Sequence, residues 1–204
     1  GLVLGFERWR KTTIGEIASL VQETYLPNKE ESLPYIGLEH IEQGTLQLCG
    51  IGKSNQVSSL KLKFNRDDIL FGKLRPYFRK VVKPNFQGVC STDIWVIRAK
   101  NGADQNYLYY LLASNEFVEH VNKGSEGTKM PRGKWDFAIK YEIMLPPKVE
   151  QKEIGSFLSK IDRKIQLNND INKNLEEMAQ TLFKRWFFEF EFPNENGEPY
   201  KSSG

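Results

Sequence analysis

Residues 149–187 read VEQKEIGSFLSKIDRKIQLNNDINKNLEEMAQTLFKRWF, and this stretch decides how the rest of the chain is organised. No proline interrupts it, and Gly155 is its single glycine. Ile154, Leu158, Ile161, Ile165, Asn168, Asn172, Leu175, Ala179, Leu182 and Trp186 follow one another at spacings that alternate between four and three. That is the seam of a coiled coil. A second row, Phe157, Lys164, Ile171, Met178 and Arg185, flanks it. A helix over the whole stretch is about 58 Å long at ~1.5 Å per residue. The preceding segment, as one domain, has a diameter of roughly 35–40 Å by compactness scaling. Part of the apolar stripe is therefore expected to meet a partner outside its own domain.

Two amides sit in the seam. An asparagine there costs stability and fixes register, because only another polar group satisfies it. Asn168 and Asn172 lie equally far from residue 170, the midpoint of the seam. Antiparallel pairing of two copies about that midpoint sets Asn168 against Asn172, Ile165 against Leu175 and Ile161 against Ala179. This is the predicted arrangement; a parallel pair, with Asn168 against Asn168, is the alternative.

Working back towards the start, residues 1–148 read as mixed α/β. The predicted fold class is α+β: a domain at 1–148, one long coiled-coil helix at 149–190, and a connector or tail at 191–204. Trp9 to Leu20 looks like a helix start, with Thr12 or Thr13 as cap. Pro34 to Ile41 reads as a strand entering a turn, and 68–71 and 78–82 as short strands. Residues 89–98 alternate in polarity with apolar groups on both faces, which predicts one inner strand. Asp104 caps a predicted helix running to about Lys123, where Gly124 stops it. Residues 137–145 read as a last strand, ended by Pro146 and Pro147.

Hydrophobic residues make up 39% of the chain and the mean hydropathy is −0.52, which fits a domain with an exposed appendage. No run approaches the roughly 20 apolar residues of a membrane span. No charged-then-apolar leader opens the chain, and two cysteines, Cys49 and Cys90, make no disulfide framework, so a cytoplasmic home is expected.

Charge is distributed unevenly. Residues 1–148 hold 21 Lys and Arg against 16 Asp and Glu, a net +5, while 149–204 hold 8 against 10, a net −2. Between Asp68 and Asp93 no acid appears. Such a one-signed stretch is a candidate surface for a polyanion, the bland reading being that folding scatters it over several faces. Cations neutralise phosphates, an arginine fork reads guanine, and amides read adenine. Lys73, Arg75, Tyr77, Arg79 and Lys80 are candidate contacts on that ground. So are Thr128, Lys129, Arg132 and Lys134 in the glycine-rich loop 124–133 and its border, and Lys53, Asn55 and Gln56.

Catalytic signatures are absent. His40 and His120 are far apart, the latter placed to complement a helix end. The two His and two Cys have no metal-ligand spacing, and no metal site is predicted. No phosphate loop, dinucleotide fingerprint or nucleophile elbow is present. The neighbouring acids Asp67 and Asp68 are expected on a solvated face. A binding protein, not an enzyme, is predicted.

Trp9 with Thr13-Ile-Gly-Glu-Ile17, the run Asp68-Ile-Leu-Phe-Gly-Lys-Leu-Arg-Pro76, Cys90-Ser-Thr-Asp93, and Tyr141-Glu-Ile-Met-Leu-Pro-Pro-Lys-Val-Glu-Gln-Lys-Glu-Ile154 together resemble the specificity (S) subunit of Type I restriction–modification enzymes. The Pro-Pro-x-x-Glu-Gln-x-x-Ile string is the most specific of them. The resemblance implies a target recognition domain followed by the family's conserved spacer helix. In that family two such halves pack their helices antiparallel, and each reads half of a bipartite site on double-stranded DNA. It implies adenine methyltransferase (M) and restriction (R) subunits as partners, with S-adenosylmethionine, ATP and magnesium belonging to those partners and no cofactor in this chain. It also implies a bacterial or archaeal cytoplasm. One recognition domain and one helix make half of the usual arrangement, so a homodimer reading a symmetric, gapped site is expected. The alternative is a coiled-coil scaffold whose basic charge is incidental.

Overall fold

The computed structural model describes residues 9–126 and 129–202. The chain divides into two compact units, residues 1–159 and 160–204. The first three turns of the long helix therefore count with the first unit.

The first unit is α+β. Its central layer is a four-stranded antiparallel sheet in the order β2 (Ala18–Val21), β10 (Ile94–Ala99), β7 (Ile69–Gly72), β8 (Val81–Val82). Successive side chains of a strand point to opposite faces, and here both faces are covered. Ile69, Phe71, Trp95 and Ile97 enter a core shared with Leu108, Leu112, Phe117 and Val121. Those four belong to helices α2 (Gln105–Leu112) and α3 (Asn115–Lys123). Leu70, Ile94 and Val96 enter a second core with Ile36, Ile41, Phe64 and Cys90. Most of that second group lies on or beside a five-stranded sheet in the order β3 (Thr24–Tyr25), β6 (Lys61–Phe64), β9 (Gly88–Ser91), β4 (Pro34–Ile36), β5 (Gly52–Lys53). Only the β4–β9 pair is parallel. A separate pair joins β1 (Arg10–Thr13) to β11 (Glu142–Leu145).

Several local predictions are corrected, among them the strand expected at 78–82, which is only β8 because Pro76–Phe78 form a 3-10 turn. Residues 89–98 are two strands, β9 and β10, in different sheets, because the chain turns at Thr92-Asp93; both are inner strands. The helix beginning at Asp104 is two helices. Asp104 accepts from the amides of Asn106 and Tyr107 as expected, but Ser114 caps a second start by accepting from Phe117 N. The helix expected after Thr13 is one turn, α1 (Ile14–Ile17). Residues 137–138 end another single turn, α4 (Trp135–Ala138), so the last strand is the shorter β11. Asp68 is not solvated. It is 2% exposed, accepts two hydrogen bonds from Arg98 at 2.7 and 2.8 Å, and receives Asn65 N at 2.8 Å. His120 Nε2 pairs with Phe137 O at 3.0 Å, and its ring stacks on Phe137.

The long helix α5 spans Lys148–Phe183 and passes into a wider π turn, Lys184–Phe188. Within the first unit Ile154 packs on the helix-side core, and Gln151 and Gly155 are buried. Ile154, which the heptad pattern puts at the start of the seam, thus faces its own domain. In the second unit every residue from 163 to 190 is exposed. Ile165, Leu175 and Leu182 are 46%, 57% and 48% exposed although they are the residues a seam would cover. After the π turn the chain doubles back: Pro193 bridges Pro199, Tyr200 N donates to Phe192 O, and the Phe192 and Tyr200 rings stack at 4.9 Å.

Candidate nucleic-acid interface

The basic stretch after β7 is held in an unusual backbone. Arg75 and Arg79 bracket a 3-10 turn, Pro76–Phe78, and both take left-handed conformations, with φ of 51° and 47°. Left-handed geometry costs a non-glycine residue roughly 1–2 kcal/mol, and residues held so often cluster where a ligand is gripped. The surroundings impose it here: Arg75 N donates to Pro131 O at 2.7 Å and Gly72 N to Lys80 O at 2.8 Å.

Those bonds also bring together two segments that are distant in sequence. Gly133 N donates to Lys73 O at 2.8 Å, and Leu74 bridges Arg132. Asp93 joins them, accepting Arg132 Nε at 3.0 Å on its carboxylate and Lys73 N at 2.9 Å on its carbonyl. Lys73, Arg75, Lys129, Arg132 and Lys134 therefore share one surface. Beside it lies a groove of about 540 Å³ lined by Gln22, Thr24, Thr92, Trp135, Lys73 and Arg132 among others. The arrangement offers cations for phosphates, amide and hydroxyl groups for base edges, and an indole face.

The cations differ in what they are free to do. Arg79 donates to Asn115 Oδ1 at 2.8 Å and to the Gly44 carbonyl, and Lys80 donates to Leu38 O at 2.6 Å, so both heads are tied into the fold. Lys134 pairs with Glu126. Lys53, Lys73 and Lys129 form no ion pair among the described residues. Arg75 Nη2 donates to Lys129 O at 3.5 Å, while its Nε is buried without a hydrogen-bond partner among the described residues. Tyr77 is exposed and its ring packs edge-on against Phe78. Lys53, Asn55 and Gln56 are exposed elsewhere, Lys53 at the end of β5 and the two amides in the 3-10 turn that follows it. Thr128 lies outside the described residues. Gln22, Thr24 and Thr92 have no sequence signature, because strand pairing brings them to the groove; Trp135, on α4, reaches it through the Gly133–Lys73 bond and its packing on Trp95, and the cation-aromatic pair Lys134-Trp135 is its one sequence hint.

Among the described residues no group of three or more His, Cys, Asp or Glu could hold a metal ion. Burial pushes the Cys90 thiol up to about 12, which leaves it protonated and inert. No helix among the described residues is long and apolar enough to cross a membrane.

Fold and surface together define a class: an α+β domain with a basic loop face that continues into a long helix with an uncovered apolar stripe. The chain belongs to the family of Type I restriction modification DNA specificity domains, whose model matches residues 7–177. It is 27% identical over 191 residues to the Type I restriction enzyme HindI specificity subunit of Haemophilus influenzae, covering 90% of this chain and 41% of that one. It is 26% identical over 148 residues to the EcoDI specificity subunit of Escherichia coli, covering 72% and 33%. The crystal structure of the HsdS subunit from Thermoanaerobacter tengcongensis has the same fold, with a TM-score of 0.64 at 22% identity over 94% of this chain and 51% of that one. The chain spans less than half the length of these two curated relatives.

Proposed function

We propose that residues 1–148 form a target recognition domain that reads one half of a bipartite site on double-stranded DNA, and that the helix at 149–190 pairs antiparallel with a second copy. Residues 191–204 serve as a connector or tail. The pair would hold two reading domains at a fixed separation and position methyltransferase (M) and restriction (R) subunits. Methylation and cleavage, with S-adenosylmethionine, ATP and magnesium, would reside in those partners, and the assembly would work in the cytoplasm.

One observation carries the reading. The apolar stripe that is covered by the chain's own core at Ile154 continues uncovered to Leu182 and Trp186. Soluble chains rarely leave a contiguous stripe of this kind without a partner. The seam positions exposed in this way run from Ile161 to Trp186, and the full heptad seam, Ile154 to Trp186, is centred on residue 170, so a second copy running the other way pairs seam with seam about that point. Lys73, Arg75, Tyr77 and the segment at 129–134, together with Lys53, Asn55 and Gln56, supply the DNA-facing groups, and Arg79 and Lys80 brace the turn that presents them; Lys53, Lys73 and Lys129 are the cations of this set that form no ion pair among the described residues.

Duplex binding measured against salt tests the domain half of the reading. The expected slope of log affinity on log salt is about −0.9 per phosphate neutralised. A slope near zero would contradict DNA recognition by this surface.

A further inference from the structure

The Pro-Pro-Lys-Val-Glu-Gln string opens α5, and its glutamine is held by the domain rather than by water. Gln151 is 3% exposed. Its Nε2 donates to Pro146 O at 2.8 Å, and its Oε1 accepts from Asp104 N at 2.9 Å. Asp104 is itself the cap of α2, with its Oδ1 accepting from Asn106 N and Tyr107 N at 3.0 Å each. One turn along, Gly155 presses on the same helix start: a Cβ there would lie 2.8 Å from Tyr107 N and 2.9 Å from Asn106 Cβ. The contacts are extended on one side by Trp9 Nε1 donating to Glu150 Oε2 at 2.8 Å. On the other side the Tyr110 hydroxyl meets Ser159 Oγ at 3.4 Å.

Attachment of a helix to a domain requires only apolar burial, which tolerates sliding and tilting because it is not directional. A buried carboxamide with both ends satisfied by backbone groups tolerates neither, since a shift leaves two buried polar groups unpaired. Gly155 adds a contact without side-chain slack. The helix base is therefore fixed in angle as well as in place. A helical arm magnifies any change of angle at its base. From Gly155 to residue 170 is about 22 Å at ~1.5 Å per residue. A tilt of roughly 10° there displaces the domain by about 4 Å, slightly more than one base step of ~3.4 Å.

We propose that Gln151 and Gly155 are positioning residues that set the length of the nonspecific gap between the two half-sites read by a pair of these chains. The inference rests on the antiparallel half-site reading above. The test is selection of ligands from a pool of random duplex DNA by the full chain, by Gln151→Leu, by Gly155→Ala and by Ser156→Ala as an exposed control. The wild type and Ser156→Ala are expected to select two half-sites at one gap length. Gln151→Leu is expected to keep the half-site sequence but spread over two or more gap lengths, with affinity for the wild-type gap falling about tenfold. Gly155→Ala is expected to shift the preferred gap by one base pair or more; should Gln151→Leu not fold, this variant carries the test. If the folded variants select the wild-type gap unchanged, the two residues are structural only and the proposal is overturned. A wild-type pool with no paired motif overturns the half-site reading, and the gap proposal with it.

Discussion

The two ends of one helix present the same kind of apolar stripe and meet opposite fates. At the base, Ile154 packs on the core, Gln151 is sealed between Pro146 and Asp104, and Gly155 touches backbone. Beyond residue 162, Ile165, Leu175 and Leu182 stand in solvent at about half their full exposure. Helix propensity explains neither end, since a long isolated helix draws its stability in proteins mainly from a packed face. The difference teaches that the heptad pattern is one continuous instruction with two recipients: the chain's own domain over the first three turns, and a second surface thereafter.

Substitutions that treat the two regions alike should separate them. Leu175→Glu with Leu182→Glu has the largest expected effect. Each removes roughly 2–3 kcal/mol of burial per chain and charges a seam, so light scattering should fall from twice the 23.6 kDa chain mass to the single mass. The melting temperature of the domain should stay where it was. Asp68→Ala inverts that outcome. It removes the acceptor of Arg98 and of Asn65 N and should cost about 1–2 kcal/mol of domain stability, less than for a fully buried pair because Arg98 is 44% exposed and can hydrate, read by denaturant titration, with the assembled mass unchanged. Gly155→Ala compares the regions with one residue type. Alanine usually stabilises a helix interior by about 0.5–1 kcal/mol over glycine; here the contact with Tyr107 N should reverse the sign and cost about 1–2 kcal/mol.

Smaller effects sharpen the same contrast on the DNA-facing side. Lys73→Ala, which breaks no ion pair among the described residues, should weaken duplex binding about tenfold at unchanged melting temperature and lower the salt slope by about one. Arg79→Ala should do the reverse, because its guanidinium ties the turn at Gly44 to Asn115 of α3. Arg75→Ala and Arg132→Ala should weaken binding without altering the assembled mass. The smallest change is Asn168→Leu with Asn172→Leu: association should persist or tighten while its register blurs.

How much of this was legible in the sequence follows from the range of the interactions concerned. The helix was legible from Val149 onward because ten seam positions between Ile154 and Trp186 repeat the same heptad spacing. Asp104 was legible as a cap because capping is a bond to amides two and three residues away. Ser114 gave the same signal, with Glu116 two residues on, but it falls in the middle of a stretch that reads as one helix from Asp104 to Lys123. The turn at Thr92-Asp93 was hidden because polarity alternates straight through it, and only the transfer from one sheet to another reveals it. At the candidate surface the residue types were visible but their engagements were not. Arg79 and Lys80 look like any other cations until tertiary folding presents Gly44 and Leu38 carbonyls to them. Gln22 and Thr92 reach the groove only through the pairing of β2, β10 and β7.

Disulfide trapping across the seam tests the central claim most directly. Chains carrying Ile165→Cys or Leu175→Cys, each with the exposed Cys49 replaced by serine, are oxidised separately and after mixing. Antiparallel pairing about residue 170 sets position 165 of one copy against 175 of the other, so a covalent dimer should form in the mixture and in neither chain alone. Cross-linking of each chain with itself would mean a parallel pair, and no cross-link in any sample would mean that the uncovered stripe is not where two copies meet.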